Sequence, residues 1–257
     1  MTEKKLGAQL YTARQYTKTP EGVFDTLKKV KAIGYSAVQV SGFGPVDPAD
    51  VAKALKDNEL VCAGTHMNWT RFQNDIDAVI KEHKMWGCVN AAIGGLPAEY
   101  HTADGLKKFI DEVPKVCEAL AKEGITFSYH NHNLEFAKYG GKTWLAQLYD
   151  AVPGKLLKAE IDVYWVTEGG GDPIEWVNKV AGRMPMVHFK DMMVKMPEKE
   201  KRMAEIGEGN LNWKGIVDAC EKTGVRWYLV EQDNCYDRDP LESLKISFEN
   251  LKAMGLS

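Results

Sequence analysis

The sequence predicts an α/β protein folded as a (β/α)8 barrel of the TIM type, and three observations predict it. Short apolar runs alternate with helix-period stretches from end to end, the pattern of parallel strands joined by crossover helices. Eight such units fit into 257 residues, the size of that barrel. Ligand-type side chains collect at the ends of several strands, where a barrel places its chemistry. An open doubly wound sheet is the competing arrangement, but no strand is followed by G-x-G-x-x-G or a phosphate-binding glycine loop.

The elements follow in order. Lys5 to Leu10 is the first strand. Thr19-Pro20 opens a helix that Gly34 closes, with Thr as cap, Pro at the first helical position and Gly past the end; Val23, Leu27 and Val30 form its apolar stripe. Ala37 to Val40 is the second strand, and Asp47-Pro48 starts the next helix. The third strand, Leu60 to Met67, is apolar until His66 and is followed by a helix. The fourth lies around Cys88 to Ile93 and is closed by Gly94-Gly95. A long helix runs from about Ala103 to Lys122, with Pro114 in its middle removing one hydrogen bond. The fifth strand is the start of ITFSYHNHNLEF, Ile125 to Phe136, and a helix around Thr143 to Tyr149 follows it. Leu157 to Tyr164 is the sixth strand. Gly169-Gly170-Gly171 is a loose turn, and Asp172-Pro173 opens a helix. Met186 to Phe189 is the seventh strand, entered through Pro185. A long polar loop, Met196 to Asn210, precedes a helix from Trp213 to Lys222. Trp227 to Glu231 is the eighth strand, and Asp239-Pro240 opens the last helix. With no linker in view, the expectation is a single domain over residues 1–257.

Composition narrows the function classes. Hydrophobic residues make up 44% and charged residues 27% of the chain, with a net charge of −3, which is ordinary for a globular protein. No basic run exceeds the mixed PEKEKR stretch, so no nucleic-acid partner is expected. No apolar run reaches membrane-spanning length, so no membrane is expected either. MTEKKLGAQL lacks the apolar core of a signal peptide, which points to the cytoplasm. The five cysteines are Cys62, Cys88, Cys117, Cys220 and Cys235. Their odd count and scattered spacing read as reduced thiols. A homo-oligomer stays open.

His66, His130, His132, Asp162, His188 and Glu231 all fall at strand ends. Side chains alternate along a strand, so His130 and His132 face the same side, and Glu135 follows closely. A single histidine there is explained by packing. Several imidazoles and carboxylates at one end of one barrel are costly to bury unless a cation neutralises them. One divalent metal is therefore expected, Mn, Zn, Co or Fe, with Mg less suited to imidazole ligands. Asp162, His188 and Glu231 are the ligands expected first; the fifth strand contributes His130, His132 or Glu135.

Position parity extends the site. Glu160 and Lys190 lie two residues from Asp162 and His188 on the inward face. Lys190 can polarise a substrate oxygen or instead pair with Asp191 or Glu160. His66 and His132 are candidate proton-transfer groups beside Glu231 and Lys190. Gln9, Trp69, Glu160, Trp165 and Arg202 are candidate substrate contacts, the tryptophans by stacking on a sugar face and Arg202 from a lid-like loop. His83 and His101 lie in helix or loop regions and read as surface residues.

At KAEIDVYWVTEGGGDP, YHNHNLEF, VHFKDM and EIGEGN the chain resembles the sugar phosphate isomerase/epimerase family. These are xylose isomerase-like barrels, grouped with inosose dehydratases, tagatose epimerases and endonuclease IV. The resemblance covers nearly the whole length. It implies one divalent metal held by four strand-end side chains, three of which match Asp162, His188 and Glu231. The fourth is usually a Glu at the end of the middle strand, where this sequence has His130. The endonuclease branch carries D-x-x-H on the sixth strand; here it reads Asp162-Val163-Tyr164-Trp165, which argues against DNA repair. The activity implied is proton abstraction next to the carbonyl of a sugar, keto-sugar or polyol through an enediolate, giving isomerisation or epimerisation. The alternatives are β-elimination by a lyase or dehydratase, inosose dehydratase-like or acting on a keto-glycoside, and a barrel that binds sugar without turnover.

Overall fold

The computed structural model describes residues 5–256. Eight parallel strands close into one barrel: β1 Leu6–Gln9, β2 Ala37–Val40, β3 Val61–Met67, β4 Asn90–Ile93, β5 Thr126–His130, β6 Leu157–Asp162, β7 Met186–Phe189 and β8 Trp227–Val230. Each pairs with its sequence neighbour among these strands, and Gly7 of β1 sits opposite Leu229 of β8 to close the ring. The barrel predicted by the alternating pattern is therefore present.

Local chemistry explains the helix starts. Thr19 accepts from the Gly22 amide at 3.1 Å, Asp47 from Ala49 at 2.8 Å, Asp172 from Ile174 at 2.7 Å and Asp239 from Leu241 at 2.8 Å. Each cap satisfies an amide that the first helical turn leaves unpaired, and the proline that follows has no amide to satisfy. The helix Ala103–Ala121 continues through Pro114.

Apolar side chains fill the barrel floor, three alanines among them. Ala37, Ala63, Ala92, Met186 and Leu229 pack together there. A Cβ on Gly64 would fall 2.4 Å from Met186 Sδ, so the close approach requires glycine. Polar side chains line the barrel above this plug. Outside it, aromatic residues fill the space under the helices. Trp69 belongs to this outer layer, its ring 5.0 Å from Phe109 and 6.1 Å from Phe127.

Five local expectations are corrected. The sixth strand stops at Asp162, because the Asp162 carboxylate accepts from the Trp165 amide at 3.0 Å and caps a helix, Val163–Glu168. The long polar loop expected over Met196 to Asn210 contains a strand, Glu200–Ala204, paired antiparallel as a ribbon with Asp191–Lys195 just before it. The helix after β3 is two, Trp69–Asn74 and Ile76–Trp86. His83 is 0% exposed, held between the Thr65 hydroxyl at 2.9 Å and the Val79 carbonyl at 2.7 Å; an amphipathic helix places it on the barrel side. His101 is half-buried, near the Leu96 carbonyl at 3.2 Å.

Candidate metal centre

Barrel parity turns Ser128 and His130 of β5, Glu160 and Asp162 of β6 and His188 of β7 inward, and Glu231 follows the last residue of β8. His130, Asp162, His188 and Glu231 come together with one ligand atom from each within 4.8 Å of the others, all four buried. His130 Nε2 lies 3.2 Å from Asp162 Oδ2, and His188 Nδ1 lies 2.8 Å from Glu231 Oε2. Lys190 projects into the same cluster, its Nζ 3.0 Å from Asp162, 2.8 Å from Glu231 and 2.7 Å from Asp233.

A second layer lies against the first. Glu160 contacts His66 Nε2 at 2.7 Å and accepts from the Gln39 amide at 2.7 Å. Gln39 Oε1 is in turn 2.7 Å from His188 Nε2. His66, Glu160 and His188 form a further group of donor atoms of metal-binding type.

Charge balance sets protonation. Burial opposes ionisation of Asp162, but the Lys190 ammonium and the His130 hydrogen bond outweigh it and hold the carboxyl well below the usual range. Burial likewise opposes ionisation of Glu160, and His66 and His188 overcome it. Glu231 is held low against burial by Lys190 and His188. Burial disfavours charge on His188 and Lys190, yet Glu160 and Glu231 raise the former and Asp162 and Glu231 the latter. His130 is pushed well down by burial and by the His188 charge. Asp233 is raised by burial and by Glu231.

These residues fit a divalent cation. Two carboxylates and two imidazoles form a mixed N/O donor set whose charge a dication neutralises. His130 is held in the neutral form that ligation requires, whereas His188 must release the proton that Glu160 and Glu231 favour when a cation takes its place. His130 Nε2, 3.2 Å from Asp162 Oδ2, is the nitrogen turned to another of the four; its Nδ1 is buried with no hydrogen-bond partner among the described residues.

The other expected residues divide into two groups. His66, His132 and Gln9 line a cavity of about 290 Å³ together with Tyr11, Asn68, Glu231 and Asp233. A Cβ on Gly94 would lie 3.1 Å from His66 Nδ1, so glycine leaves room beside that nitrogen, which also meets Gln9 Nε2 at 3.4 Å. Trp165 stands beside the cluster, 5.2 Å from the His132 ring and 5.6 Å from Lys190 Nζ. Its indole N–H is buried with no partner among the described residues.

Glu135, Trp69 and Arg202 are not brought into the cluster. The Glu135 carboxylate is buried but turned away from it, accepting from the Tyr129 hydroxyl at 2.7 Å and the His132 amide at 2.8 Å. It braces the loop that carries His132. Trp69 packs outside the barrel. Arg202 lies on the ribbon, paired with Glu200 at 2.9 Å and stacked 4.8 Å over Tyr236. Lys190 pairs with Asp162, Glu231 and Asp233 rather than with Asp191 or Glu160. Asp191 points out of the barrel, where it accepts from the Gly207 and Gly209 amides at 2.9 and 3.1 Å and from Trp213 Nε1 at 2.6 Å. Gln39 was not anticipated; its one signal is a lone amide in the apolar run AVQV.

Comparison with known proteins agrees with the barrel fold. Residues 27–254 match the sequence model of the family described as xylose isomerase-like TIM barrel. No curated protein sequence matches the chain. A sugar phosphate isomerase/epimerase from Parabacteroides distasonis is similar in structure at 24% identity, with a TM-score of 0.81 over 96% of this chain and 98% of that one. An L-ribulose 3-epimerase is similar at 16% identity, with a TM-score of 0.75 over 98% and 94% of the two chains. A probable 3-DHS dehydratase from Bacillus anthracis is similar at 14% identity, with a TM-score of 0.71 over 96% and 98%. At these identities the likeness to solved structures shows the fold.

Proposed function

The chain belongs to the xylose isomerase-like TIM barrel family, and on that premise we propose that it is a metal-dependent sugar isomerase or epimerase. Its substrate is a keto-sugar or related polyol, and it moves a proton at the carbon next to the carbonyl. The observation that carries this reading is the buried His130, Asp162, His188 and Glu231 cluster at the mouth of the barrel. A divalent cation held by these four, Mn, Fe, Co or Zn in preference to Mg, supplies Lewis acidity that acidifies the C–H beside a carbonyl.

The chain's own residues position the substrate and move the proton. The rings of His66 and His132 lie 4.7 and 4.9 Å from that of His130, and both line the cavity. Each can take or return a proton from its own wall. Glu160, 2.7 Å from His66 Nε2, accepts the proton on that nitrogen and leaves Nδ1 as the basic atom facing the cavity. Gln9 Nε2, 3.4 Å from that Nδ1, donates to substrate oxygen. Lys190 offers an ammonium to a developing negative charge while it fixes the Asp162 and Glu231 carboxylates.

One observation favours a second outcome. Asp233 lines the cavity, and burial with the nearby Glu231 charge raises its pKa. A carboxyl in this position, once it has taken up a proton, can pass it to a departing β-oxygen. The same proton abstraction then ends in elimination, as in a dehydratase.

Incubation of the metal-loaded protein with keto-hexoses and inososes in D2O tests the reading by NMR. Deuterium is expected at the α-carbon, and Glu231→Gln should slow its incorporation by two orders of magnitude or more with the far-ultraviolet circular dichroism unchanged. An isomer as product supports the first outcome and a dehydrated ketone the second. No exchange with any of these sugars would leave a barrel that binds sugar without turning it over.

A further inference from the structure

The cavity beside the cluster does not end at His66. A second cavity of about 320 Å³ adjoins it, and Ser41, Gly42, His66, Met67 and Asn68 line both. The first, at about 290 Å³, lies at the small end of the range for ligand pockets. The two together extend away from the metal ligands, between the loop after β2 and the helices after β3.

The chemistry of the second cavity is distinct from that of the first. It holds none of the four clustered ligands. Phe43, Val46 and Trp86 give it an apolar wall, and the Trp86 indole is fixed in place by its bond to the Pro48 carbonyl at 2.9 Å. Arg71 and Glu82 supply its polar side, joined by two hydrogen bonds of 3.0 and 2.9 Å. The guanidinium charge is already matched by Glu82, so the site does not select an anion. A lining that combines apolar and aromatic side chains with a fixed donor and acceptor pair suits a pyranose ring, which has a C–H face and a rim of hydroxyls.

We infer that the first cavity takes the reacting ring and that the second is a subsite for a further glycosyl unit attached to it, so that the substrate is a glycoside of disaccharide size. This rests on the sugar reading of the metal centre, but its test is a binding measurement that does not need turnover.

Titration calorimetry on the metal-loaded protein would compare glucose, maltose, cellobiose and 4-nitrophenyl β-glucoside as probes. At least one disaccharide should bind ten-fold or more tightly than glucose. In Arg71→Ala the ratio of the two dissociation constants should fall towards one. Asn68→Trp is a second variant at the junction; Asn68 caps its helix without a side-chain hydrogen bond, so its replacement removes no cap, and the same collapse is expected. Equal affinity for glucose and every disaccharide would overturn the inference, as would a gain that survives both variants. A gain limited to the nitrophenyl glucoside would also overturn it, assigning the chamber to an aryl group. If disaccharides bind tighter but no sugar exchanges deuterium, the subsite stands and the proposed reaction fails. If keto-hexoses exchange but no second ring improves binding, the reverse holds.

Discussion

His83 shows how burial alone ties one side chain to stability. It lies inside the helical layer, bonded to Thr65 and Val79, and burial lowers its pKa below the ordinary 6.5. The neutral form is therefore the native one. Its contribution is fully present above the ordinary value and is lost as pH falls through it towards the folded value. Thermal melts of the protein and of His83→Gln should differ at pH 7.5, with the gap narrowing by pH 5.5; a gap independent of pH would contradict this. The burial of His83 was legible in helical spacing, which the expectation of a surface residue overlooked: Val79 and Ile76 lie four and seven residues before it on the same face. Gln39 was missed for another reason: its partners Glu160 and His188 lie on distant strands. Asp162, His188 and Glu231 were legible because each ends an apolar run, where burial makes a polar side chain conspicuous. The choice among His130, His132 and Glu135 could not be read from spacing. It depends on β5 ending at His130 and on Glu135 turning back to Tyr129.

Asp191 governs an element in the same way that His83 governs a contact. Its carboxylate gathers the Gly207, Gly209 and Leu211 amides and the Trp213 indole at 2.6 to 3.2 Å. A Cβ at Gly209 would fall 2.3 Å from Asp191 Oδ1, which accounts for glycine in the EIGEGN stretch. Asp191→Ala strands the buried Trp213 indole and three partly buried amides and should lower unfolding stability by about 3 kcal/mol in denaturant titration. A loss of less than about 0.5 kcal/mol, the ordinary effect of a surface change, would contradict the anchoring role. Helix starts were legible because Thr-Pro and Asp-Pro caps act within a turn. The ribbon Asp191–Lys195 and Glu200–Ala204 was not, because its polar alternation, interrupted by Pro197, resembles a solvated loop. The early end of β6 was missed because Asp162 serves both as a strand residue and as a helix cap.

For the whole molecule, the closed barrel follows from the alternation, while its working volume depends on what fills the floor. Ala92 is fully buried against Ala37, Ala63, Met186 and Leu229. Ala92→Leu should cost about 1–3 kcal/mol through overpacking, read as a lower melting temperature; an unchanged melt would mean that the floor has room to spare. The strand count and the polar end of the barrel could be read from the chain. The paired cavities could not, since they are enclosed by loops and helices whose mutual placement no local pattern encodes. The central claim is that the ring of strand ends holds one divalent cation, and elemental analysis of the purified protein beside Asp162→Ala tests it most directly. Near one equivalent of Mn, Fe, Co or Zn per chain, lost in the variant, is predicted. No bound metal after incubation with each cation, or equal metal in Asp162→Ala, would contradict it.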